Sequence, residues 1–108
     1  MGKKIILFVS LLAILLVTTV LVIADSKHNY KPKEGYVPDE KTAIRIAVAV
    51  WIPIYGEKQI EGEKPYHAKL DKGIWTVEGS LPENTVGGTA IAEIAKDDGR
   101  IVRVSHGQ

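Results

Sequence analysis

The chain has 108 residues, no cysteine and a formal net charge of +1. That length holds one small domain, and the missing cysteines exclude disulfides, thiolate metal sites and a lipid-modified cysteine anchor. With 14 basic side chains against 13 acidic ones, nothing in the charge balance points to nucleic acid.

Met1-Gly2-Lys3-Lys4 precedes an unbroken, mostly apolar run from Ile5 to Ile23. Lysines followed by such a run are the n-region and h-region of an export signal. The run is 19 residues long, about 28 Å as a helix, which is also enough to span a bilayer. Val22-Ile23-Ala24 offers a cleavage site that leaves Asp25 as the new N-terminus. The length of the run argues instead for a retained single-pass anchor. Either way Lys3 and Lys4 stay cytoplasmic and the remainder is exported, to the periplasm or cell envelope. Residues 1–24 are therefore a signal peptide or membrane anchor, and membrane contact is expected only through residues 5–23 if they are uncleaved.

Residues 25–36 hold Ser, Asn, Lys, Pro and Gly without periodicity, which reads as a linker. Residues 37–108 form the domain. Its helix starts near Val37-Pro38-Asp39, where Pro suits the first turn and Asp39 and Glu40 meet free amides and the positive dipole end. Ala43, Ala47, Val50 and Ile54, flanked by Ile44, Ile46 and Trp51, form the expected core stripe. The opposite side carries Lys41 and Arg45 but also Val48, Ala49 and Ile52. That side is apolar enough to contact either another loop or a partner. Pro53 should end or kink the helix near Ile52, and Tyr55-Gly56 supplies a stop.

Glu57 to Lys64 is a charge-balanced run and reads as a solvated bridge. From Pro65 the period becomes two. Tyr66, Ala68 and Leu70 alternate with His67 and Lys69; Asp71-Lys72-Gly73 turns the chain. Trp75, Val77 and Gly79 form the inner side of a second strand, and Ala90, Ala92 and Ile94 that of a third. In a fourth strand, from Ile101 to Ser105, Val102 and Val104 face one way and Arg103 the other. The fold class is α+β: one helix packed on a curved four-stranded antiparallel meander, since the helix is the only cover for the sheet. Gly79, Ala90 and Ala92 are small and should let the helix approach.

No catalytic constellation emerges. His28, His67 and His106 share no metal-ligand spacing and read as solvated histidines. There is no phosphate loop and no Gly-x-Ser-x-Gly elbow. No metal, cofactor or enzymatic activity is expected. The residues expected to meet a partner are Val48 and Ile52 on the helix, and Tyr55, Glu57, Glu61, Glu63 and Lys64 at the corner.

Three stretches, "IYGEKQIEGEKPY", "GIWTVEGSLP" and "VGGTAIAEIAKDDGRIVRVSHG", follow one another with short spacers. Their linked elements are Tyr55-Gly56-Glu57, Glu63-Lys64-Pro65-Tyr66, Trp75-x-Val77-x-Gly79, Leu81-Pro82, Gly87-Gly88 and Asp98-Gly99-Arg100. Over residues 36–107 this order resembles predicted immunity proteins with a nuclear-transport-factor-2-like fold, from bacterial polymorphic toxin systems. The resemblance implies a protein that neutralises a cognate toxin, encoded beside it, by stoichiometric occlusion. It brings no catalytic residues. One helix and four strands make a reduced version of that fold, without a deep ligand pocket. The residues alone leave open a small exported ligand-binding or enzymatic domain, using Tyr66, His67 or the Glu57–Glu63 cluster. They also leave open an envelope assembly partner using the apolar side of the helix.

Overall fold

The computed structural model describes residues 28–107, so the signal or anchor segment lies outside the described residues. Among the described residues no helix is long and apolar enough to cross a membrane. The fold is carried by the compact unit that begins at Pro32.

Helix α1 spans Glu40–Tyr55. Asp39 caps it as expected: its Oδ1 accepts the Thr42 amide at 2.8 Å and the Thr42 hydroxyl at 2.6 Å. Pro53 lies inside the helix and does not end it, which corrects the expected stop near Ile52. It sits on the exposed side within the last turn, where water can serve the carbonyl that Pro53 leaves without an amide. The helix ends at Gly56, with φ 94° and its N–H donating to the Ile52 carbonyl at 2.9 Å.

The buried row on α1 is Ala43, Ala47 and Trp51, four residues apart. Val50 is only half-buried and Ile54 is 57% exposed, so the expected stripe is rotated. The reason is the indole. Trp51 carries the largest apolar surface on the helix, and the roll that buries it completely turns Ile54 outward. Ile44, Ile46, Val48 and Ile52 flank the row and pack, half-buried, against the same core. Val48 and Ile52 are therefore the shoulder of the core and not an open outer face.

Strands β1 (His67–Asp71), β2 (Ile74–Glu78), β3 (Ala90–Ala95) and β4 (Ile101–His106) form an antiparallel meander in that order. The alternation holds in the centre: Trp75, Val77, Ala90, Ala92 and Ile94 are buried, with Trp75 opposite Ile94 and Val77 opposite Ala92. At the edges it weakens, and Leu70 is 40% exposed. β4 departs from simple alternation. Ile94 pairs with Ile101 while Glu93 pairs with Arg103, so Val102 is an extra, bulged residue. Val102 is left exposed and Val104 half-buried.

Ala43, Ala47, Ala90 and Ala92 are all fully buried in one cluster, so helix and sheet lie close there. Both indole N–H groups are satisfied: Trp75 Nε1 donates to the Val37 carbonyl at 2.8 Å and Trp51 Nε1 to the Ile91 carbonyl at 3.3 Å. The segment ahead of α1 joins the turn between β3 and β4, with the Tyr36 and Val37 amides donating to the Asp97 and Lys96 carbonyls at 2.9 and 3.0 Å. The close alanine contact gives a direct test. Ala47→Leu overpacks it and should lower stability by about 1–3 kcal/mol in urea denaturation, whereas Ile54→Ala, on an exposed position, should stay within about 0.5 kcal/mol.

Candidate functional site

The corner between α1 and β1 is not the solvated bridge that its charge suggests. It contains a short helix, α2 (Glu57–Glu61), whose Ile60 is fully buried, and a Glu63 that is 4% exposed. Ile60 is the only strongly apolar side chain in the run, and burying it draws the corner into the core. Tyr66 seals it from the strand side: its hydroxyl donates to the Ile60 carbonyl at 2.7 Å, and its ring lies 5.9 Å from that of Trp51. Only the outer residues behave as a solvated run. Glu57, Lys58, Glu61 and Lys64 are exposed, and Lys64 Nζ pairs with Glu61 Oε2 at 2.6 Å.

Glu63 is the buried charge of the fold. Its Oε1 accepts the Ala90 amide at 2.7 Å. Its Oε2 accepts Gln59 Nε2 at 3.1 Å and lies 2.9 Å from His106 Nε2. His106 Nδ1 lies 2.9 Å from the Gly107 carbonyl, and the Tyr55 ring packs against the imidazole with centroids 5.1 Å apart. His106 is thus half-buried and paired, not the solvated histidine expected. Gly79 makes room for this network rather than for α1. A Cβ on Gly79 would lie 2.6 Å from Glu63 Oε1 and 2.8 Å from Glu63 Cβ.

Opposing forces set the titration of the pair. Burial pushes the Glu63 carboxyl up, but the Ala90 amide, Gln59 and His106 together outweigh it and hold the pKa below its ordinary value. The hydrogen bond to Glu63, then the Gly107 carbonyl, raise the His106 pKa against a smaller effect of burial.

Beside this network lies an open cleft of about 670 Å³, lined among others by Tyr55, Glu57, Gln59, Glu63, Leu81 and Gly88. Of the residues expected to meet a partner, Tyr55, Glu57 and Glu63 come together here, with Glu63 buried in the floor. Glu61 and Lys64 are paired to each other and do not line the cleft; Val48 and Ile52 belong to the core shoulder. Sequence reasoning missed Gln59, Leu81, Gly88 and His106. The signal available for them was weak: a Leu-Pro pair and a Gly-Gly pair bracketing one loop. A second depression, about 580 Å³, runs along β1 and includes His67, Lys69, Asp71, Thr76 and Glu78. Tyr66 and His67 therefore do not converge with the glutamates on one cleft. Among the described residues no cluster of three or more His, Asp or Glu side chains is arranged to hold a metal ion.

The chain belongs to the NTF2 fold immunity proteins, a family that matches residues 42–108, more than half of its length. The match takes in nearly all of α1, the corner and the whole sheet, and so every residue of the cleft. The uncharacterized protein YhhH of Escherichia coli (strain K12) is 31% identical, over 98% of this chain and 93% of that protein. No solved structure matches.

Two outcomes follow from the network. Gly79→Ala should displace the Glu63 carboxylate and lower stability by about 1–3 kcal/mol, because the buried Ala90 amide loses its acceptor; urea denaturation reads the loss. The pH profile has two limbs. Glu63 has a depressed pKa, so its stabilisation is complete above the ordinary carboxyl range and is lost as pH falls through its folded value. His106 has a raised pKa, so its stabilisation is complete below the ordinary imidazole range and is lost as pH rises through its folded value. Urea stability should therefore peak between the two ordinary ranges, in mild acid. His106→Gln should flatten the alkaline limb and leave the acid limb in place.

Proposed function

We propose that this protein binds a cognate toxin and neutralises it by stoichiometric occlusion, and that it does so outside the cytoplasm. Membership of the NTF2 fold immunity proteins is the observation that carries the reading. The positively charged N-terminus followed by the apolar run Ile5 to Ile23 supports export. A toxin acting in the periplasm or at the envelope is the fitting target.

The corner cleft is the docking surface this reading favours. Leu81 is 43% exposed at its rim, next to Pro82 and Tyr55, while Glu57 and Lys58 add charge of both signs. Apolar anchors set within a charged rim are the usual anatomy of a protein interface. Occlusion needs no covalent step from these residues. It needs a surface held in one shape, and the Glu63 network holds the floor of this one.

The test is co-expression of the full chain with the products of its neighbouring genes. One neighbour should be toxic alone, harmless in the presence of this protein, and co-purify with it in equal amounts. Finding no toxic neighbour, or one that is neither bound nor neutralised, ends the reading. For the surface, Leu81→Arg should weaken the complex by about tenfold or more. Val102→Arg, on the bulge at the opposite end of β4 from His106, should leave affinity unchanged. The reverse pattern would move docking away from the cleft.

A further inference from the structure

Both ring nitrogens of His106 face oxygens. Nδ1 is 2.9 Å from the Gly107 carbonyl and Nε2 is 2.9 Å from Glu63 Oε2. A carbonyl only accepts, so Nδ1 carries a proton. A hydrogen bond across the Glu63–His106 contact then needs a second proton, on Nε2 or on Oε2. Without it the neutral ring has one proton for two contacts: on Nε2 it leaves a bare Nδ1 facing the Gly107 carbonyl, and on Nδ1 it leaves a bare Nε2 facing the carboxylate, so one of the two contacts turns repulsive. The two contacts exist together as hydrogen bonds only while the pair holds that extra proton.

Two walls of the cleft adjoin these contacts. His106 is the last residue of β4 and lies opposite Ala90, whose amide donates to the other oxygen of the same carboxylate. The next residue, Gly107, donates to the Thr89 carbonyl at 3.0 Å. It passes so close to Gly88 that a Cβ on Gly88 would lie 1.8 Å from the Gly107 carbonyl carbon. Gly88 lines the cleft. So does Tyr55, whose ring packs on the imidazole. The titratable side chains in contact with His106 are Glu63 from the corner and Tyr55 from α1; Gly107 presents only its backbone carbonyl.

We propose that the Glu63–His106 pair is a proton-operated clamp on the docking cleft. Holding its extra proton, it fastens the end of β4 to the corner and sets the walls at Tyr55 and Gly88. Losing that proton as the medium becomes alkaline, it gives up one of its two ring contacts, to Glu63 or to Gly107, which loosens the end of β4, and the cleft grips its partner less well. The effect on the partner rests on the docking reading above; the clamp itself does not.

NMR on the full chain tests the clamp without any partner. The His106 ring should titrate above the ordinary imidazole range, and the amide signals of Gly88 and Gly107 should move with the same midpoint. In His106→Gln, which keeps a donor toward Glu63 but does not titrate, those amides should hold still across that range. A His106 midpoint at or below the ordinary range, or amides that ignore it in the wild type, overturns the clamp. The second arm uses the neighbouring-gene toxin. Affinity should fall roughly fivefold or more across the midpoint in the wild type and stay level in His106→Gln. Level affinity in the wild type, with the amide shifts present, overturns the coupling to docking. Failure to find a bound toxin overturns the docking reading and the coupling with it, while the NMR result still decides the clamp.

Discussion

A carboxylate taken out of water is costly unless its oxygens are satisfied, and Glu63 is the one buried ionisable side chain among the described residues. Its oxygens accept an amide from the start of β3, an amide side chain from α2 and an imidazole from the end of β4. The end of β2 contributes by having no side chain, at Gly79. The backbone joins in, since the Ser80 amide donates to the Glu63 carbonyl at 2.7 Å. Strand ends in an open meander ordinarily fray into water. Here three of them meet one charge, and the geometry of the corner follows from satisfying it.

The opposite end of the sheet is held by different physics. There, Trp75 spans from the core to the Val37 carbonyl, and the segment before α1 runs along the turn after β3. That end relies on apolar burial, the Trp75 indole hydrogen bond and the backbone bonds of Tyr36 and Val37 to that turn. The largest fully buried side chains are only Trp51, Ile60, Ile94, Val37 and Val77. Ile60 belongs to the corner, so the corner is part of the core and not an appendage. Small domains bury a modest fraction of their surface and have little stability to spare. Changes to the cleft floor therefore act on folding, and under the proposed docking a rim residue such as Leu81 separates binding from stability better than Glu63 does.

Most of the scaffold was legible because it is local. Asp39 three residues before Thr42, Gly56 after Tyr55, and the period-two runs around Trp75 and Ala92 each declare themselves within a few residues. The family resemblance, carried by ordered motifs, agrees with the family match over residues 42–108. What stayed hidden depends on partners distant in the chain. His106 and Glu63 are 43 residues apart, and nothing in either neighbourhood announces the other. Glu63 was further masked by its surroundings, because a run of Glu and Lys looks solvated whichever member of it turns inward. The helix stripe was misjudged by the same route. Periodicity admits both Val50–Ile54 and Ala47–Trp51 as the inner row, and only the size of the indole decides between them. The bulge at Val102 left no mark in the pattern at all.

The two depressions of the molecule differ in what an incoming partner would have to order. The one along β1 borders an edge strand, with Lys69 at its middle and exposed His67 and Asp71 at its ends. Charges in an edge strand discourage pairing with another chain. The corner cleft has its floor tied into the core by Ile60 and its walls tied to one carboxylate. A partner that docks there meets groups already held in place and loses less affinity to ordering them. The same economy carries a liability. A cleft whose shape hangs on one shared proton keeps its advantage only while that proton is bound, so rigidity and sensitivity to pH arise from a single interaction.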